Sequence, residues 1–342
     1  MSNFAGRRGL FAAGLVAVAV ANLSNTGATA DPLVDTLQPA AYETAPDGSK
    51  LVLITKIDDR NVKLTVSATS MQRDVEVYVQ RPADTSKPSP TLYLLDGLTR
   101  KAETDNLTFL AGKNVNVVIP TGGENAYWTD WAATDPLLGV NKWRTFLTQE
   151  LPPIVDAALG ANGVNAIAGM SRTGTAALQL AIAKPGLYKS VASYSACPGT
   201  SDPVGRYFVE LSMQQYGGGN PVNMWGAASD PLWAANDPAL HAEGLRGTNL
   251  YLSNGSGLPG VHDRLDDPRI NGRADTLLRQ IIAGGGIEAA TDYCNHTFVA
   301  KLAELGIPAT INFPLTGNHS WGYWQDDFID SWPVLARGLG IS

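Results

Sequence analysis

Three unbroken apolar runs constrain the fold of this chain more than any other feature of its sequence. They are Thr91–Leu95, Asn114–Ile119 and Val164–Ala168. Short runs without polar alternation are typical of strands that are buried on both faces of a parallel sheet. Between the second and the third run, Val140–Ala158 has helical spacing of its apolar residues. Strand, helix and strand in this order predict an α/β fold with a parallel sheet and right-handed crossovers.

Shorter segments extend the sheet on both sides of these runs. Alternating residues predict an antiparallel edge before the first run, and strand-like segments recur after the third. The segments are Leu51–Thr55, Val62–Val66, Asp74–Val79, Ser190–Ser195, Asn249–Ser253 and Ala309–Phe313. The stretch Asp202–Glu243, rich in Gly, Asn, Trp and Pro, is expected to be an insertion over the sheet rather than a second domain.

The charge balance narrows the range of partners. The 342 residues include 25 Lys and Arg against 32 Asp and Glu, and no basic run follows the first ten positions. A surface that tracks nucleic-acid phosphates is therefore not expected. With 44% apolar and 17% charged residues, the chain can build a large core. This composition excludes the disordered and multi-span membrane classes.

The N-terminus has the form of an export signal. Arg7 and Arg8 precede the twelve-residue apolar run Leu10–Ala21, and small residues then lead to Ala28-Thr29-Ala30, which matches a signal-peptidase site. The run is shorter than the roughly 20 residues of a spanning helix. We therefore expect cleavage after residue 30 rather than a membrane anchor, with the twin-arginine route left open. No transmembrane segment is expected in residues 31–342.

Export also bears on the two cysteines. Outside the cytosol Cys197 and Cys294 can oxidise, and an even count in an exported chain predicts one disulfide. Two buried, inert thiols are the alternative.

The main chemical signal is Gly169-Met170-Ser171-Arg172-Thr173-Gly174. It follows a predicted strand and precedes Thr175–Ala183, which has the character of a helix, so it fits the tight strand-to-helix turn of a nucleophilic serine. Glycines flank such a serine because the turn leaves no space for a Cβ atom. A turn that only caps a helix is the alternative, since the second glycine comes one residue later than in G-x-S-x-G.

A nucleophilic serine needs a base, and the chain has four histidines. His241, His262 and His296 lie in polar or helical stretches with no preceding strand. His319 follows the last predicted strand and a short loop, which is where an α/β-hydrolase carries its base. An acid between Ser171 and His319 in the chain would complete a triad. The candidates are Asp263, Asp266, Asp267 and Glu288, and spacing does not choose among them.

Several longer stretches carry a family resemblance. They are Ser67–Asp74, Tyr93–Leu98, Pro120–Trp131, Lys142–Pro152, Gly169–Gly174, Met224–Pro238 and Asn312–Trp324. With them the chain resembles the antigen 85 group of secreted mycolyltransferases over most of its length after residue 30. The resemblance implies an α/β-hydrolase fold, and residues 31–342 are expected to form a single domain of this type.

The resemblance also implies roles for individual residues. It favours Glu288 over the aspartates as the acid, beside Ser171 and His319, with the backbone N–H groups of Leu98 and Arg172 as the oxyanion hole. Asp96 and Trp321 match positions that contact trehalose. A turn-capping aspartate and a packed tryptophan are the alternatives for these two. No cofactor and no metal ion are expected.

Three departures from the family pattern stand out. Thr99 stands where the family has an arginine, and Arg100 follows it as the candidate for the same sugar contact. Arg172 replaces a methionine, which is expected to alter the mouth of the pocket. The segment between Asp31 and Val66 is longer, as in relatives with shorter mycolates. A Cys197–Cys294 bond would pin the helix that carries Glu288 to the sheet.

The function implied is that of a secreted acyltransferase, monomeric, acting at the cell envelope. Its partners would be trehalose mycolates and other envelope glycolipids or arabinan. A secreted carboxylesterase with the same triad and water as acceptor is the main alternative. A non-catalytic relative that binds matrix proteins is the third, but that class lacks the nucleophile.

Overall fold

The computed structural model describes residues 36–37, 44–95, 106–215 and 218–341. In these residues ten strands form one sheet with the order β1-β2-β3-β4-β6-β5-β7-β8-β9-β10. The strands are β1 (Thr36–Leu37), β2 (Lys50–Lys56), β3 (Asn61–Ala68), β4 (Arg73–Gln80), β5 (Thr91–Leu95), β6 (Asn116–Pro120), β7 (Asn165–Met170), β8 (Tyr188–Tyr194), β9 (Asn249–Ser253) and β10 (Thr310–Asn312). Strands β1 to β4 pair antiparallel, and β4 pairs antiparallel with β6. From β6 to β10 all pairings are parallel.

The burial of the strands explains their sequence patterns. Every residue of β5, β6 and β7 is buried, so these strands have continuous apolar runs, whereas β4 alternates between buried and more exposed positions. The chain reverses its direction of travel across the sheet at β5, which lies between β6 and β7. At such a reversal the loops after neighbouring strands diverge and leave a crevice at the carboxyl ends. Ser171 follows β7 at this point.

Helices cover both faces of the sheet. They are α1 (Leu151–Leu159), α2 (Arg172–Ala183), α3 (Pro203–Gln215), α4 (Pro221–Trp225), α5 (Pro231–Ala235), α6 (Ala274–Arg279), α7 (Gly285–Glu304) and α8 (Trp321–Leu339), with 3-10 turns at Glu124–Ala126 and Ala242–Leu245; residues 106–110 are also helical. One core cluster holds the buried side of α1, α2 and α7, and a second holds that of α8.

The helix predicted over Val140–Ala158 is present but is interrupted by a wider turn. Trp143–Thr145 is followed by a π-helical turn, Phe146–Glu150, before α1 begins. Pro152 and Pro153 have no N–H groups and cannot donate to the carbonyls four residues earlier. The helix hydrogen bonds here span five residues instead of four, since the N–H of Leu151 donates to the carbonyl of Phe146.

The segment Asp202–Glu243 packs onto the domain as short helices. Asn220 and Asp230 cap α4 and α5, each with its side-chain oxygen on a backbone N–H and a proline at the first helical position. Trp225 and Trp233 are buried in the same cluster as α1 and α2. These tryptophans therefore belong to the core.

Glu150, a buried acid outside the triad, gives a testable pH dependence of folding stability. Glu150 is fully buried, and its Oε1 accepts a hydrogen bond from the N–H of Ser70. Burial raises the pKa of Glu150 to about 7, and the neighbouring Asp47 carboxyl acts in the same direction. The folded state therefore holds a proton that the unfolded state releases near the usual pKa of a glutamate.

We expect Glu150→Gln to change how stability depends on pH. Because the folded-state pKa is raised, the stabilisation from Glu150 is complete below about pH 4.5 and is lost as pH rises through about 7. The glutamine amide can keep the hydrogen bonds to the N–H of Ser70 and to the carboxyl of Asp47, and it does not ionise. The variant should therefore be more stable than the parent at pH 8 by roughly 2 kcal/mol and gain less at pH 5. Urea unfolding at both pH values measures this. Glu304→Gln, at an exposed position, should show no such trend; equal effects of both variants would contradict the account.

Candidate active site

Ser171 lies on a strained turn between β7 and α2. Its backbone has φ 54° and ψ −129°, a region that non-glycine residues occupy rarely and at a cost of about 1–3 kcal/mol. A Cβ atom at Gly169 would collide with the backbone carbonyl of Thr173, and one at Gly174 would lie 2.8 Å from Ser193 Oγ. Both glycines are therefore required by close packing, as the sequence predicts for a nucleophile turn.

Thr173 holds this turn against the neighbouring strand. Its hydroxyl lies 2.9 Å from the N–H of Met170, which donates to it, and 3.0 Å from the carbonyl oxygen of Leu95. Leu95 is the last residue of β5, so one side chain links the ends of β5 and β7. The turn is thereby fixed from outside, which is what a strained backbone needs in order to persist.

Ser171, His319 and Glu288 form a continuous chain of hydrogen bonds. His319 Nε2 is 2.8 Å from Ser171 Oγ, and His319 Nδ1 is 2.7 Å from Glu288 Oε2. A carboxylate only accepts hydrogen bonds, so Nδ1 carries the ring proton and Nε2 is left to accept the serine hydroxyl. This tautomer is the one that a general base needs.

The second oxygen of Glu288 is held by groups that follow two strands, β8 and β9. Glu288 is 1% exposed, and its Oε1 accepts from the hydroxyl of Ser195 at 2.8 Å and from the N–H of Gly255 at 2.7 Å. Ser195 Oγ also accepts from Trp324 Nε1 at 2.9 Å. The ring of Trp324 lies edge-on to His319, with centroids 4.8 Å apart. Ser195, Gly255 and Trp324 have no role in the sequence prediction.

Close backbone contact brings Gly255 to the acid. A Cβ on Gly285, at the start of α7, would lie 2.6 Å from the carbonyl oxygen of Gly257. Glycine at this position lets α7 approach the loop after β9. That approach places the Gly255 N–H within hydrogen-bond distance of Glu288.

The predicted disulfide is present. Cys197, which follows β8, is bonded to Cys294 on α7. The same helix carries Glu288, so the bond ties the acid-bearing helix to the end of the sheet. By chain-entropy arguments, a bond that closes a loop of 97 residues stabilises the fold by roughly 4 kcal/mol.

A second buried carboxyl group lies near the acid. Burial raises the pKa of Asp327 on α8 to about 7, and the charge of Glu288 adds to this effect. Asp327 Oδ1 is 3.3 Å from Asn312 Nδ2. Near neutral pH the Asp327 carboxyl is therefore only partly ionised.

The predicted oxyanion and sugar contacts are only partly within the described residues. Asp96, Leu98 and Arg100 lie outside them. Arg172 begins α2, so its backbone N–H is at the positive end of the helix dipole. Its side chain is 2% exposed and lies close enough to Tyr127 for its charge to oppose the burial that raises the pKa of Tyr127. That this side chain alters the mouth of the pocket remains a prediction.

Trp321 begins α8 and is partly exposed. Its ring contacts that of Trp324, with centroids 5.2 Å apart. The ring of Trp324 thus contacts both Trp321 and His319. Contact with a sugar remains a prediction for this residue.

The other candidate acids and histidines have different partners. Asp263 accepts from Tyr323, Gln280, Asn318 and Gly260. Asp266 is exposed beside Arg264, and Asp267 binds His262 Nδ1. The other nitrogen of His262 meets Asp326, while His241 and His296 contact backbone carbonyls. In the described ranges only His319 is hydrogen-bonded to Ser171.

The described residues contain neither a metal-binding cluster nor a membrane-spanning helix. In this part of the chain no group of three or more His, Cys, Asp or Glu side chains is arranged to hold a metal ion. No helix there has the length and apolarity needed to cross a membrane.

The sheet order, the serine turn and the hydrogen-bonded chain define an α/β-hydrolase of the esterase and acyltransferase type. A family model described as "Putative esterase" matches residues 68–335. The chain belongs to this family and, within it, to the antigen 85 group, as its relatives show. It is 31% identical to the diacylglycerol acyltransferase/mycolyltransferase Ag85A of Mycobacterium leprae, over 82% of this chain and 83% of that protein.

A second relative and a solved structure agree with this assignment. The Ag85B protein of Mycolicibacterium smegmatis, with the same description, is 32% identical over 81% of this chain and 85% of its own. The crystal structure of MPT51 (FbpC1) from Mycobacterium tuberculosis aligns with a TM-score of 0.64 at 23% identity, covering 88% of this chain and 99% of that one. The latter likeness supports the fold.

Proposed function

We propose that this protein is a secreted mycolyltransferase that moves a long-chain acyl group between trehalose glycolipids, or onto cell-wall arabinan, through an acyl-enzyme on Ser171. The observation that carries the proposal is the chain of hydrogen bonds from Ser171 through His319 to Glu288, at 2.8 and 2.7 Å. This hydrogen-bonded triad occurs in a protein that is about one-third identical to mycolyltransferases over four-fifths of its length. Residues 1–30 act as the export signal in this proposal.

The first half of the reaction forms the acyl-enzyme. Ser171 Oγ attacks the ester carbonyl carbon of the donor while its proton passes to His319 Nε2. The carbonyl oxygen becomes an oxyanion, which the N–H groups of Arg172 and Leu98 would stabilise. The carbon–oxygen bond to the sugar then breaks, and His319 returns the proton to the leaving sugar oxygen. Glu288 keeps the imidazole in the required tautomer and stabilises its charged form.

The second half repeats these steps with a new hydroxyl group. His319 removes a proton from the acceptor, whose oxygen attacks the acyl carbon, and the proton returns to Ser171 Oγ as that bond breaks. A sugar must be held in place of water for transfer to exceed hydrolysis. Asp96, Arg100 and Trp321 are the candidates for this contact.

Product analysis with a labelled acceptor tests the proposal. The enzyme is incubated with trehalose monomycolate, with and without carbon-13-labelled trehalose, and the products are weighed by mass spectrometry. We expect the label to enter the mycolyl ester pool and free acid to be the minor product. Free acid alone, at a rate that trehalose does not change, would instead identify a carboxylesterase.

A further inference from the structure

Asp263 lies in the loop between β9 and α6, and its carboxylate is a meeting point of several segments. It is 9% exposed. Its Oδ2 accepts from the N–H of Gly260 at 2.8 Å and from the hydroxyl of Tyr323 at 2.6 Å. Its Oδ1 accepts from Gln280 Nε2 at 2.9 Å and from Asn318 Nδ2. Four donors satisfy both oxygens of a carboxylate, and hydrogen bonds to an ionised group are the stronger kind.

Two of the four donors belong to the segments that carry the triad. Asn318 is the residue immediately before His319. Gln280 begins the π-helical turn Gln280–Gly284, which leads directly into α7 and Glu288. Both donors converge on the same oxygen, so the histidine loop and the start of the acid helix are held to one atom.

The backbone joins the same two segments. The N–H of His319 donates to the carbonyl of Gly284, the last residue of that turn. The loop that carries Asp263 is also tied to the histidine loop, because Gly257 donates to Gly317 and Gly317 donates to Leu258. Asp263 thus joins three segments of the chain. One of its donors, Asn318, is the residue before the base His319.

We propose that Asp263 is a positioning residue that sets the distance between His319 and Glu288 without touching the substrate. The inference rests on the proposed role of the triad. A shift of about 1 Å in a reacting group can reduce the rate roughly a hundredfold. Loss of the Asp263 carboxylate removes the only side-chain group in the described residues that accepts hydrogen bonds from both segments.

The test compares three variants on a soluble short-chain ester, p-nitrophenyl butyrate. Asp263→Ala should lower kcat about 100-fold with KM changed less than about threefold. Asp263→Asn keeps one acceptor oxygen and should lose about tenfold, and it covers the case in which the alanine variant does not fold. Asp267→Ala is the matched control, since Asp267 lies in the same loop with the same 9% exposure but binds His262 and the N–H of Arg269. It should keep kcat within about threefold.

Covalent capture of Ser171 by a fluorophosphonate separates positioning from a general structural effect. The capture rate should fall in parallel with kcat in both Asp263 variants, even where the melting temperatures of Asp263→Asn and Asp267→Ala are equal. Equal kcat values for the two alanine variants, or a capture rate that Asp263→Asn leaves unchanged, would overturn the proposal. The assay needs no sugar acceptor, so it remains informative if transfer to trehalose fails and the protein is an esterase.

Discussion

Replacement of Ser171 by alanine is expected to abolish turnover, with a loss of at least about 10⁴-fold in kcat. The hydroxyl oxygen is the atom that lies 2.8 Å from His319 Nε2, and alanine offers no nucleophile in its place. Stability should change little, since alanine retains the Cβ atom and the turn is held by Thr173 and by the packing of Gly169 and Gly174. Steady-state hydrolysis of a short-chain ester and thermal melting measure both effects.

Ser86→Ala is the control for this variant, because Ser86 lies on an exposed loop. Its activity and melting temperature should equal those of the parent protein. Turnover retained by Ser171→Ala above about one-hundredth of the parent rate would show that another group is the nucleophile.

Replacement of Glu288 by glutamine is expected to lower kcat by about 10³–10⁴-fold. The N–H of Gly255 can only donate, so the glutamine oxygen must stay at the Oε1 position, where that N–H donates to it. The amide NH₂ then faces His319 Nδ1, which lies 2.7 Å from the other oxygen of Glu288 in the parent protein. Nδ1 must become an acceptor, and the ring proton moves to Nε2. A ring in that tautomer cannot take the proton of Ser171.

The loss of activity in Glu288→Gln should fall on kcat rather than on KM. KM should change little, since Glu288 is buried beneath His319 and does not face the substrate. Glu304→Gln, on the same helix but exposed, should behave as the parent. If Glu288→Gln keeps more than one-tenth of the parent kcat, the acid must be sought among the aspartates of the loop after β9, with Asp263 first.

Most of the sheet was predictable from sequence, because buried parallel strands have an unmistakable composition. Thr91–Leu95 and Asn249–Ser253 match β5 and β9 in both bounds, and the other predicted strands differ by a few residues at their ends, whereas β1 was not predicted. The pairing of β4 with β6 rather than β5 was not predictable, since it depends on contacts between distant segments. Helix α8 was not predicted either. Its apolar residues at 324, 328, 332, 335 and 339 have helical spacing, but Pro333 interrupts the pattern that favours a helix.

The residues of the candidate site also differ in whether the sequence predicts them. Ser171 and His319 have local signals, a glycine-flanked turn after a strand and a loop after the last strand. Glu288 has none, and only the family resemblance separates it from Asp263, Asp266 and Asp267. Ser195 and Gly255 follow β8 and β9, and they reach Glu288 because parallel strands bring their carboxyl ends to one edge. Such contacts join residues 33 to 93 positions apart and have no signature in a single sequence.

The fate of the acyl group on Ser171 tests the central claim most directly. The enzyme is mixed with trehalose monomycolate, quenched with acid and weighed intact, and the modified peptide is then sequenced by mass spectrometry. We predict one mycolyl adduct on Ser171 that added trehalose removes at least about tenfold faster than buffer does, with mycolyl trehalose as the product. Absence of an adduct on Ser171, or its loss to free acid at a rate independent of trehalose, would contradict the account.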